Sequence, residues 1–145
     1  MFLHSRITFL IAACALCTSV QAQNQSQTDS SCPEAWEMTT SQLQGHWTAE
    51  IAGQPRAAEL QLAPHPEWQG TVKGTVQRVR SSHAMVGDVD QGNVTLEESA
   101  NGTNISATWV GTVTDGSCAR EIRGQYQEEG PDAQSQPFVL RKRNP

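Results

Sequence analysis

From Gly45 to Lys142 apolar and polar residues alternate in short runs, and turn signals interrupt them every eight to twelve residues. A period of two places alternate side chains on one face, so each run reads as a half-buried β-strand. The candidate strands are His46–Ile51, Arg56–Leu62, Thr71–Val79, His83–Val89, Asn93–Ser99, Ile105–Thr114, Ala119–Gln127 and Phe138–Lys142. Asn101-Gly102 and Asp115-Gly116 between such runs are strong hairpin signals, because both turn residues must accept positive φ. No connection is long enough to hold a crossover helix, so neighbouring strands pair antiparallel.

An open meander of eight strands exposes two unpaired edges, and closure removes them. The expected fold is therefore an all-β, eight-stranded antiparallel up-and-down barrel preceded by a short helix. Its inward set is Trp47, Ala49, Ile51, Ala58, Leu60, Leu62, Val72, Gly74, Val76, Met85, Gly87, Val89, Val94, Leu96, Ile105, Ala107, Trp109, Gly111, Val113, Ile122, Gly124, Tyr126, Phe138 and Leu140. Four inward glycines suit a chain that must bend tightly or leave room for the two indoles. Alternation also sends Glu98 and Arg120 inward, and Asp88 if its strand takes the other register. Either these meet as an ion pair near a barrel mouth, or the register slips by one residue there. An eight-stranded barrel can be filled by its own side chains, which disfavours a small-molecule carrier.

The N-terminus predicts the compartment. Arg6 precedes an apolar run, Ile7–Val20, and Val20-Gln21-Ala22 has the small-x-small form of a signal-peptidase site, so residues 1–22 read as a secretory signal peptide. An alternative takes Ile11-Ala12-Ala13-Cys14 as a lipidation box that anchors the chain through Cys14. Residues 23–31 are polar and read as a flexible arm, and residues 32–145 as the barrel domain with its helical turn around Pro33–Met38. Ser31 and Glu34 stand at capping-box spacing there, and Trp36 is expected to lie against the barrel surface. Cys32 and Cys118 remain after cleavage, an even pair that predicts a disulfide in a periplasmic or extracellular setting. The whole chain carries a formal charge of −5, one unit more negative once Arg6 leaves with the leader. Nucleic acid is not the expected partner of such a surface.

Gly45-His46-Trp47, after the helical stretch Thr39–Gln44, resembles the opening of the calycin superfamily, which includes lipocalins, avidins and small bacterial metalloprotease inhibitors. The resemblance implies that Trp47 plugs the barrel bottom and that a base from the last strand, Arg141 or Lys142, covers the indole. "HPEWQG", "LEES" and "GSCAREIRG" are also similar to phrases in uncharacterised secreted proteins of Gram-negative bacteria, a likeness that implies no activity. In the metalloprotease inhibitors an N-terminal segment enters the enzyme's cleft; here the arm is longer, glutamine-rich and followed by a turn tied through Cys32.

Catalytic groups are not assembled by spacing. His46, His65 and His83 stand 19 and 18 residues apart, without the spacing that sets two imidazoles on one metal, and read as dispersed surface histidines. Ser117 follows Gly116 without a nucleophile-elbow motif. Glu97-Glu98 and Glu128-Glu129 point to opposite faces of a strand and read as solvated. The sequons at Asn24, Asn93, Asn101 and Asn104 read as turn chemistry. The expected protein is thus a non-catalytic monomer without cofactor or metal. Its candidate binding residues are His65, Glu67 and Trp68 in the proline-stiffened loop "APHPEWQG", where Trp68 either anchors a protein partner or folds back to cap the barrel. Gly45, Trp47, Trp109 and Arg141 are structural candidates.

Overall fold

Antiparallel pairing follows chain order around the molecule and then closes, β1 bonding to β8 as well as to β2. The computed structural model describes residues 32–144; the expected signal peptide and arm, Cys14 and Asn24 lie outside the described residues. The strands are β1 (Gly45–Ile51), β2 (Ala58–Pro64), β3 (Thr71–Gln77), β4 (Ser82–Asp90), β5 (Asn93–Ser99), β6 (Ala107–Val113), β7 (Glu121–Glu128) and β8 (Gln136–Lys142). A 3-10 turn, Ala35–Glu37, and a one-turn helix α1, Thr40–Leu43, precede them. The fold is a closed, eight-stranded all-β barrel, as the alternation predicts.

The register sets the core. Trp47 stands opposite Leu60, Leu96 opposite Trp109, and Trp109 opposite Tyr126. Trp47, Trp109, Leu43, Leu96, Ile122 and Leu140 are all fully buried. Trp109 makes edge-on contacts with Tyr126 at 4.7 Å and Phe138 at 5.2 Å between centroids, the arrangement that aromatic quadrupoles favour. The inward glycines have a backbone cause. A Cβ at Gly74 would lie 1.8 Å from the Gln61 carbonyl oxygen on the neighbouring strand, so tight coiling of the barrel wall, rather than space for an indole, fixes glycine there.

Three expected inward residues differ. Ile105 is 45% exposed because β6 begins only at Ala107, and Ile105 belongs to the connection before it. Val89 is only partly buried, packed at the rim of the core. Arg120 also leaves the alternation, since β7 starts one residue later; its guanidinium donates to the Lys142 carbonyl and to Asn144 Oδ1 outside the barrel. Asp88 is exposed.

The end of the barrel where β1 starts is closed. Gly45 adopts φ 114°, a conformation that side chains resist, and turns the chain from α1 into β1. Trp47 follows, its indole N–H donating to Leu43 O at 2.8 Å. The base over its ring is Lys142, with Nζ 5.4 Å from the centroid and bonded to Gln42 O. Arg141 does not fill this role. It stands opposite Thr48 on the outward face and pairs instead with Glu50 and Glu121. Cys32 and Cys118 form a disulfide, tying the 3-10 turn to the β6–β7 connection. The capping box sits three residues later than the spacing suggests, with Glu34 N–H donating to Glu37 Oε2. So short a turn buries none of its residues, and Trp36 is 65% exposed rather than laid on the surface.

Candidate functional site

The β2–β3 connection carries the candidate loop. Pro64 and Pro66 restrict the backbone on either side of His65, and His65 N–H returns to Thr71 O at 2.9 Å, which closes the loop at its base. The His65 ring then orders the tip. Its Nδ1 accepts the backbone N–H groups of Glu67 at 3.2 Å and Trp68 at 3.1 Å, so Nδ1 is unprotonated and the ring proton resides on Nε2. The Trp68 indole stacks on the same imidazole, with centroids 4.3 Å apart and planes within 5°.

This arrangement brings His65, Glu67 and Trp68 together, as the sequence leads one to expect, but it does not cap the barrel. Trp68 is 59% exposed on the outside, because Trp47 and Leu43 already occupy the closed end. Beside it a groove of about 370 Å³ runs over the outer faces of β3, β4 and β5, with Lys73, Ala84 and Glu97 on its floor and Thr103 and Asn104 of the β5–β6 connection on its far wall. One face of a large aromatic ring is thus presented in a fixed position next to a mixed polar surface. Such an anchor loses little conformational freedom on docking.

The second constellation was only half legible in the sequence. Glu98 is 2% exposed and accepts hydrogen bonds from Arg78 Nη1 at 2.6 Å, Arg78 Nη2 at 2.9 Å and Trp109 Nε1 at 3.2 Å. His83 Nδ1 lies 2.5 Å from its Oε1. An ion pair does stand near a barrel mouth, but the partner of Glu98 is Arg78; Arg120 sits at the opposite end. Glu98 is not a solvated charge, nor is His83 a dispersed surface histidine. The missed signal was the alternation of β3, since Arg78 continues the inward series Val72, Gly74, Val76 by two more residues.

Burial of Glu98 would push its carboxyl up, yet the hydrogen bonds and charge of Arg78, helped by His83 and Trp109, hold it below the usual carboxylate range. Burial, with the nearby Glu98 charge, raises the Tyr126 phenol, which stays protonated and donates to Glu128 at 3.1 Å. The Arg78 guanidinium lies 5.7 Å from the Tyr126 ring and 6.0 Å from that of Trp109, within cation–π range. Every oxygen of Glu98 is engaged. This is the chemistry of a plug that satisfies a buried charge, rather than of a carboxylate free to exchange protons with a substrate.

Among the described residues no helix is long and apolar enough to cross a membrane. No family model and no curated protein matches the chain.

Proposed function

We propose that the protein is a non-catalytic binding module of the periplasm or extracellular space that docks a protein partner on its outer face, as an inhibitor or accessory factor acting on an envelope or exogenous protein. The observation that carries this reading is the exposed, pre-ordered Trp68–His65 stack beside an open groove, on a barrel whose inner space is taken by Trp47, Trp109, Tyr126 and Phe138. A buried aromatic anchor surrounded by polar contacts is the usual energetic centre of a protein interface. The disulfide supports an oxidising compartment, and a net negative surface supports a partner other than nucleic acid. Kinship with the calycins belongs to the same proposal; the Gly45 turn, the Trp47 plug and the Lys142 cover support it.

The test is partner capture from periplasmic extract or culture fluid with wild type and Trp68→Ala, each verified as folded by circular dichroism. The expected result is one specifically retained protein whose recovery falls by about thirtyfold or more with the variant, the loss of an interface anchor. Equal recovery by both proteins removes the loop as the docking surface.

A further inference from the structure

A second recess, of about 570 Å³, opens at the mouth opposite Trp47, lined by Gln54 and Arg56 from the β1–β2 connection, by Arg78, Arg80 and Ser81 after β3, and by Glu128 of β7. Antiparallel order explains the convergence: β2 starts and β3 ends at this mouth, so their flanking connections are neighbours.

Two of the three arginines here differ from the rest. Among the described residues Arg78, Arg120, Arg123, Arg141 and Arg143 each donate to a carboxylate, carboxamide or carbonyl oxygen. Arg56 and Arg80 make no such bond, and both line this one recess. Arg78 is fixed behind them by Glu98 and commits two of its five N–H donors to that pair. Among the residues that line the recess the one carboxylate is Glu128, which already accepts the Tyr126 hydroxyl; Glu98 lies behind the lining, matched by Arg78, and Glu129 and Asp132 of the β7–β8 connection belong to the same end but not to the lining. Three guanidiniums, Arg56, Arg78 and Arg80, against Glu128 and the matched Glu98 leave the lining of this recess positive on a chain of net charge −5.

We propose that this mouth binds a phosphate monoester, with Arg56 and Arg80 as its clamp and Gln54 and Ser81 as neutral donors. Guanidinium forks match the oxygen pairs of an oxyanion. Two free forks and two neutral donors offer more hydrogen bonds than the two oxygens of a carboxylate accept, whereas a phosphate monoester presents three terminal oxygens and a second negative charge. The recess is far larger than the anion itself, so it has room for the group that carries the phosphate. A soluble phosphorylated metabolite and a lipid headgroup share this chemistry.

The experiment measures calorimetric binding of inorganic phosphate and cosedimentation with phosphatidylcholine vesicles with and without phosphatidic acid. It compares wild type, the Arg56→Ala/Arg80→Ala double variant, and Arg143→Ala as a charge control at the other end. Both altered sites are exposed, and equal thermal midpoints verify folding. Wild type is expected to bind at least one phosphate probe saturably, the double variant at least about tenfold more weakly, and Arg143→Ala as wild type does. Binding of inorganic phosphate that competes with the vesicles points to a soluble source, and binding confined to vesicles with phosphatidic acid points to a headgroup. Absence of binding to both probes, or equal weakening by Arg143→Ala, overturns the proposal.

Discussion

Glu98 holds Arg78 by both terminal guanidinium nitrogens, at 2.6 and 2.9 Å, from a carboxylate that is 2% exposed inside the barrel wall. The pair joins β5 to the turn after β3 across β4, and His83 of β4 and Trp109 of β6 complete it. A buried charge of this kind is costly to expose to one-sided change. Glu98→Ala leaves Arg78 partly buried without its counter-charge and is expected to cost about 3 kcal/mol, read as a shift in denaturant midpoint at unchanged slope. A loss below about 1 kcal/mol would show that solvent reaches the pair freely.

The same carboxylate makes stability acid-sensitive. Its folded-state affinity for protons is held below the ordinary value of 4.5, so the unfolded chain binds the proton more readily. The stabilisation is complete above that ordinary value and is lost as pH falls below it, through the lower folded value. Thermal midpoints measured from pH 7 down to pH 3 should fall more steeply below about pH 4.5 for wild type than for Glu98→Gln, which carries no titrating group there. Parallel curves would contradict this.

Trp68 relies on His65 for its position. His65→Ala removes the acceptor for two backbone N–H groups and the stacking surface together. The effect on global stability is expected to be small, within about 1 kcal/mol, because the loop is exposed. Trp68 fluorescence anisotropy in a background with the other three tryptophans replaced by phenylalanine should drop, since the indole gains freedom. Unchanged anisotropy would mean that the proline backbone alone holds the loop.

At the closed end, Lys142 and Arg141 are neighbours in sequence with unequal roles. Lys142→Ala removes the cation over Trp47 and the bond to Gln42 O and should cost about 1–2 kcal/mol. Arg141→Ala breaks only exposed ion pairs with Glu50 and Glu121, which solvent screens, and should shift the midpoint less than Lys142→Ala does. Urea unfolding of the two variants separates them, and the reverse order would place Arg141 at the plug.

Cys32 and Cys118 are 86 residues apart in the chain, and cross-linking so long a loop constrains the unfolded state strongly. Replacing both by serine is expected to lower stability by about 2–5 kcal/mol. Equal midpoints for the variant and wild type would show that the 3-10 turn contributes nothing through this bond.

Much of this architecture was written in the alternation. The strand order, the Trp47 and Trp109 core positions and the disulfide partners follow from period two, hairpin turns and cysteine parity, all local or arithmetic signals. What escaped reading was set by where strands stop. Arg78, one residue past β3, keeps the inward parity of Val76 and meets Glu98, whereas Ile105, two residues before β6, has left the pleat and turns out. Face parity alone pairs Arg120 with Glu98, but parity says nothing about height along the barrel, and the two lie at opposite ends. The exposure of Trp68 was equally hidden, because capping or presentation depends on whether Leu43 and Trp47 have already closed that end.

The most direct measurement is hydrogen exchange of the four indole N–H groups by two-dimensional NMR. A closed barrel filled by its own side chains predicts slow exchange for Trp47, bonded to Leu43 O, and Trp109, bonded to Glu98, with fast exchange for exposed Trp36 and Trp68. Trp47 or Trp109 exchanging as fast as Trp68 would contradict it and point to a hollow, solvent-accessible interior.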